Sequence, residues 1–170
     1  TVLGVVVAGL LISALSGNFQ ARLEAIRRGG SAVMESNHFL ILGWSQKIFS
    51  VIEMLADANV ENGRICVVVM AERDKVDMED ALRSKLAHLG KRVTLVVRAG
   101  SAVSIEDLAR VGFDHTRAIV VLADETDAED PNRSDGRVIK SLLAIFNHPD
   151  IRAAQGAIDR LRVTAEVMLA

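Results

Sequence analysis

"HFLILGWSQK", residues 38–47, is the stretch whose reading decides the fold. An apolar run, a glycine and the first residues of a helical pattern describe a buried strand turning tightly into a helix, the entrance of a nucleotide-binding α/β fold. In the fingerprint G-x-G-x-x-G the first glycine makes the turn, the second admits a pyrophosphate and the third lets the helix pack on the strand. Gly43 holds the first place, but Ser45 and Ile48 hold the other two. Serine is the least obstructive side chain at the second place, and its hydroxyl can donate to a phosphate oxygen. The amides of a helix N-terminus attract an anion in any case. Trp44, the single tryptophan, is either a wedge that packs the turn or a lid on a ligand. Glu72, after the second strand, stands where ribose hydroxyls would be accepted, farther along than the usual ~20 residues because the first helix and its loop are long. Two readings stay open: a modified nucleotide or anion pocket made by Gly43, Trp44, Ser45, Glu72 and Arg73, or a turn kept for folding.

Outward from this stretch, the chain alternates strand and helix. Ile48, Val51, Ile52 and Leu55 mark the first helix by their i, i+3, i+4, i+7 spacing. "RICVVVMA", residues 64–71, lacks polar alternation, as a strand covered on both faces requires. Met78, Leu82, Leu86 and Leu89 predict a helix running to Gly90. "RVTLVVR", residues 92–98, is a third strand, and Ile105, Leu108 and Val111 give a short third helix. "RAIVVLAD", residues 117–124, is a fourth strand, and Val138, Ile139, Leu142, Leu143 and Phe146 predict the buried stripe of a fourth helix. "RVTAEVML" near the end is a fifth strand. Repeated βα units imply right-handed crossovers, and so a Rossmann-like parallel sheet with helices on both faces and ligands at the carboxyl ends of its strands.

Composition supports that class. In 170 residues, 50% are hydrophobic but only 4% aromatic, with no tyrosine, so the apolar mass is Val, Ile, Leu and Ala, suited to a buried parallel sheet. A formal net charge of −2, with acids and bases interspersed, gives no positive field for a phosphate backbone, and nucleic acid is excluded as a partner. Cys66 is alone, so no disulfide or thiolate zinc site forms within the chain, in keeping with a reducing interior.

"DETDAED", residues 124–130, gathers carboxylates beyond the fourth strand. Asp124, Asp127 and Glu129 are the candidate oxygen ligands for a hard cation such as calcium. The run lacks the central glycine and terminal glutamate of the spaced calcium loop, and its other reading is a solvated loop feeding a helix. Ser104 with Asp107, and Asp74 with Asp77, read as helix caps. The four histidines, His38, His88, His115 and His148, are scattered without a metal-binding pair, and His38 is placed to hydrogen-bond the linker before its strand. No nucleophile, base and oxyanion site assemble, so the sequence does not describe an enzyme.

"TVLGVVVAGLLISALS", residues 1–16, carries no charge and as a helix would cover roughly 24 Å of a hydrocarbon core about 30 Å thick. It reads as the end of a pore-lining helix, an ordinary anchor, or a buried soluble helix. Gly4 and Ala8, then Gly9, Ser13 and Gly17, recur four apart, which lets membrane helices approach closely. The bases Arg22, Arg27 and Arg28 follow the apolar run and put the next domain in the cytoplasm. Residues 18–36 read as an amphipathic stem and linker, with Phe19, Leu23 and Ile26 on one face and Gly29 and Gly30 ending the helix. The expected organisation is a transmembrane helix end over 1–17, the stem over 18–36, and the Rossmann-like domain over 37–170, with both chain ends truncations of a longer protein.

The apolar start, the basic stem, "GGSAVMESNHFLILGWS" and "VVVMAERDKVDMED" together resemble the CASTOR/POLLUX family of ion channels and its bacterial relatives. Residues 92–124, with "VRAGSAVSIEDLARVGFDHTRAIVVLAD", resemble the wider class of domains that regulate potassium conductance. The resemblance implies a membrane-bound homotetrameric cation channel, with potassium as the ion, in which this cytoplasmic domain joins a gating ring and couples ligand binding to pore opening through residues 18–36. Ser45 and Ile48 depart from the glycines of nucleotide-binding members, and Ser101 follows Gly100 where many have an acid. The ligand therefore stays unidentified between a nucleotide and calcium. Rival readings are a membrane-anchored NAD(P)-binding enzyme, with its catalytic residues beyond Ala170, and a regulatory module of a non-channel transporter.

Overall fold

A computed structural model describes residues 33–124, 131–149 and 161–167. The apolar start, most of the stem, and Asp127 and Glu129 of the acidic loop lie outside the described residues. Among the described residues no helix is long and apolar enough to cross a membrane.

The elements are β1 (His38–Leu42), α1 (Lys47–Ala58), β2 (Ile65–Ala71), α2 (Lys75–Lys85), β3 (Val93–Ala99), α3 (Ile105–Arg110), β4 (Thr116–Val121), α4 (Pro131–Phe146) and β5 (Val163–Ala165). All strands pair in parallel, in the order β3-β2-β1-β4-β5. β1 is therefore central, and the direction of strand addition reverses beside it, which is where such sheets open a crevice.

Alternation along the strands divides the core. Phe39 and Ile41 of β1, with Val67 and Val69 of β2, pack under α1 and α2 against Ile48, Ile52, Met78 and Leu82. Leu40 and Leu42, with Val68 and Met70, face the other way, toward Leu108, Phe113, Val138 and Ile145. The uninterrupted apolar strands follow from this, because every side chain of β1 and nearly every one of β2 is buried.

Two helices depart from their predicted course. The stripe Met78, Leu82, Leu86, Leu89 is buried throughout, but α2 stops at Lys85. A 3-10 segment, Ala87–Arg92, carries the rest, with Leu89 N bonded to Leu86 O at 3.0 Å and Gly90 outside helical geometry. The tighter three-residue repeat brings Leu89 over the same core as Leu86.

In α4 the buried residues are Ser134, Val138, Ser141 and Ile145, whereas Ile139, Leu143 and Phe146 are 54%, 56% and 36% exposed. The helix is rotated from the expected stripe, with its two serines on the buried side. Ser141 tolerates that burial by donating its hydroxyl to Arg137 O at 3.0 Å, inside its own helix. Ile105 of α3, also predicted inward, is 51% exposed.

Candidate functional site

At the carboxyl ends of the strands a cavity of about 250 Å³ opens between the turns after β1, β2 and β3 and the side of α4, lined by Gly43, Glu72, Ser101, Asp124, Arg137 and Lys140 among others. Gly43 shapes its floor. Its φ is +93°, and a Cβ there would lie 2.4 Å from Leu122 O, so no other residue fits. The turn is pinned on both sides: Gly43 N donates to Met70 O at 2.9 Å, and Leu122 N donates to Leu42 O at 2.8 Å.

The five residues expected to form one pocket are divided by the fold. Gly43 and Glu72 line the cavity. Trp44 is 3% exposed and packs edge-on against Phe49, with ring centroids 6.1 Å apart, away from the strand-end cavity. Ser45 is buried and accepts the Lys47 amide on its hydroxyl at 3.3 Å, while its carbonyl accepts from Ile48 N at 3.1 Å. That hydroxyl serves the first turn of α1. Arg73 turns away from the cavity, its guanidinium 5.8 Å from the centre of the Trp44 ring. With Trp44, Phe49, Asp77 and Lys85 it lines a separate cavity of about 390 Å³ between α1 and α2.

Glu72 is already engaged, since the hydroxyl of Ser101 donates to its Oε1. A side-chain hydroxyl thus occupies the acceptor that a ribose would use. Asp107, expected as a capping partner, does more than that: its amide bonds the Ser104 hydroxyl at 3.3 Å, its Oδ2 accepts from Ser101 N at 2.8 Å, and its Oδ1 pairs with Arg110. These bonds fix the loop that presents Ser101 to Glu72.

Sequence reasoning missed four side chains at this end. Ser101 was noted only as a departure from a pattern, and Arg137 and Lys140 stand on α4, nearly a hundred residues from the turn they face. Glu166, just past β5, accepts the Ala123 amide on Oε2 at 3.1 Å and pairs through Oε1 with Lys47, the first residue of α1. A carboxylate of the chain itself is therefore held between the end of β4 and the start of α1. Only the strand order could have brought these residues together on paper.

The cavity lining combines the cationic side chains of Arg137 and Lys140, the Ser101-bonded carboxylate of Glu72 and the glycine turn. Asp124 is half-buried on its wall, while among the described residues no three metal-ligating side chains cluster.

Residues 35–158 match the model of the calcium-activated potassium channel slowpoke-like RCK domain. Ion channel CASTOR of Lotus japonicus is 35% identical over 142 residues, which cover 84% of this chain and 16% of that protein. Probable ion channel POLLUX of Arabidopsis thaliana is 36% identical over 143 residues, covering 84% of this chain and 17% of that protein. Ion channel POLLUX of Lotus japonicus is 34% identical over 143 residues, covering 84% and 15%. The chain thus spans about a sixth of the length of these relatives.

Proposed function

The chain belongs to the slowpoke-like RCK domain family, and on that premise we propose that it is the cytoplasmic regulatory domain of a membrane-bound, tetrameric, potassium-conducting cation channel. Ligand binding at the strand ends is coupled to the pore through residues 18–36. The observation that carries this reading is the family match over residues 35–158, together with relatives named as ion channels that match 84% of the chain.

Two features of the fold support the assembly and the ligand. Ile139, Leu143 and Phe146 make an apolar stripe on the outer side of α4, a surface suited to a second copy of the domain. The strand-end cavity, lined by Arg137 and Lys140 as well as Glu72, suits a phosphate-bearing ligand such as a nucleotide. Calcium is the alternative ligand, through Asp124 with Asp127 and Glu129.

Weak sites are sufficient for such a gate. Reversing a two-state equilibrium needs about 5.5 kcal/mol of differential binding, so four subunits supplying roughly 1.4 kcal/mol each would do it. Thermal unfolding of the domain with NAD, ATP and calcium at saturating levels tests the ligand, since 100 times the dissociation constant adds about 2.7 kcal/mol of stability. If none of the three moves the melting point, the gate answers to something else or the domain is purely structural. Potassium flux through the reconstituted full-length protein tests the channel, and a protein that passes no cation sinks it.

A further inference from the structure

At the opposite end of the sheet, residues 33–37 bring the chain into β1 along the end of α3. Val33 N donates to Arg110 O at 2.7 Å, and Asn37 N donates to His115 O at 2.8 Å. Asn37 takes a φ of 58° to make the entry. Beneath this segment His38 is fully buried. Its Nδ1 is 2.9 Å from Glu35 O, in the incoming segment, and its Nε2 is 3.0 Å from Val111 O, in the domain.

Both neighbours of the ring are acceptors. A neutral imidazole has one N–H, so it donates to one carbonyl and turns a lone pair toward the other. An imidazolium would serve both, but it would be a cation shut away from water. The charged groups around it do not neutralise it. Glu35 is exposed, with Oε2 accepting its neighbour's amide, Met34 N, at 3.2 Å. Arg110 of α3 is tied to Asp107, and His115 of the 3-10 turn Phe113–His115 lies 3.4 Å from Asp114. On β2, burial pushes the Cys66 thiol up and keeps it neutral. Burial also pushes the His38 imidazole below its ordinary 6.5; the two carbonyls and the Glu35 charge offset part of this, and His115 adds to it.

We infer that His38 is the catch of a proton-sensitive latch, which holds residues 33–37 against the domain while the imidazole is neutral and releases them on acidification. A buried ring that resists protonation makes acid favour any state that exposes it. The latch's contribution is complete above the ordinary imidazole value of 6.5 and fades as pH falls through it toward the lower value of the latched ring. Residues 33–37 are the wall that can move. The other walls, Val111 and β1 itself, belong to the core, whereas residues 34–37 are exposed on their outer side and only Val33 packs against the core edge. The latch stands on this geometry alone; its effect on a pore rests on the channel reading, in which these residues are the covalent route from the apolar start into the domain.

The test is amide hydrogen exchange of Val33 and Asn37 in the full 170-residue chain, corrected for intrinsic rates, at about pH 7.5 and about pH 5, either side of the imidazole range. Ring titration of His38 by NMR accompanies it. Protection at both amides should fall about threefold or more on acidification, while Val68 and Val69 in β2 keep theirs and the His38 ring titrates below its ordinary 6.5. The fall should vanish in His38→Gln and persist in His115→Gln. Unchanged or rising protection, a His38 ring that titrates at or above its ordinary 6.5, or a fall that survives in His38→Gln overturns the latch. Should His38→Gln not fold, the wild-type ring titration and protection decide the matter. Conductance plays no part in the readout, so failure here leaves the channel reading standing.

Discussion

At the carboxyl ends of the strands, side chains from distant parts of the chain do the holding: Ser101 on Glu72, Asp107 on the Ser101 amide, Glu166 between Lys47 and Ala123. At the amino ends the backbone does it, through Val33 on Arg110 and Asn37 on His115, with one buried ring between two carbonyls. The first kind of contact is replaceable by a ligand, because a phosphate or a hydroxyl can take the place of a carboxylate or a serine. The second is not replaceable by a small molecule and yields only when a segment of chain moves. On the proposed channel reading, the first end would sense and the second transmit.

Two glycines with positive φ, one at each end, give the comparison its largest test. Gly43 combines φ +93° with a backbone oxygen 2.4 Å from any added Cβ, whereas Gly112, at φ +59°, would place its Cβ in ordinary contact, 3.7 Å from His38 Cε1 and 3.8 Å from Val33 O. Gly43→Ala suffers strain and overlap together and should lose about 3 kcal/mol or more in urea unfolding. A loss under about 1 kcal/mol would mean that the turn can open from Leu122, and that the cavity floor is not rigid.

Gly112→Ala, the matching change at the amino end, suffers only the left-handed conformation and should cost about 1 kcal/mol. Circular dichroism should show the same helix content as the parent chain. If Gly112→Ala costs as much as Gly43→Ala, the linker end is packed as rigidly as the cavity floor and the contrast between the two ends fails.

The turn, the alternation and the two-faced core were legible because they are local. Gly43, the apolar β1 and β2, and the spacing of α1 each state their structure within a dozen residues. The α4 face differs from the expected one for a physical reason: Ile139, Leu143 and Phe146 outweigh Ser134 and Ser141 in hydropathy, yet the small serines are buried and the large apolar groups face out. A surface kept apolar breaks the rule on which periodicity rests, and such breaks gather where a partner binds. The candidate site was legible only in part. Gly43 and Glu72 are adjacent to the cavity because they end neighbouring strands, but the order in which strands pair, and so the approach of Arg137, Lys140 and Glu166, is a property of the whole sheet.

The smallest expected effect is the most informative about that cavity. Ser101→Ala removes an exposed hydroxyl whose bond to Glu72 is worth little in water, so stability should change by less than about 0.5 kcal/mol. Glu72 is then left free to accept from a ligand. If the cavity takes a sugar-bearing ligand through Glu72, the serine competes with the ligand's own hydroxyl, and its removal should tighten binding by roughly 0.5–1.5 kcal/mol, up to about tenfold, by calorimetry. Calcium binding, which needs no hydroxyl, should be unaffected. Weaker nucleotide binding in Ser101→Ala would instead place the serine, beside Arg137 and Lys140, among the groups that hold the ligand.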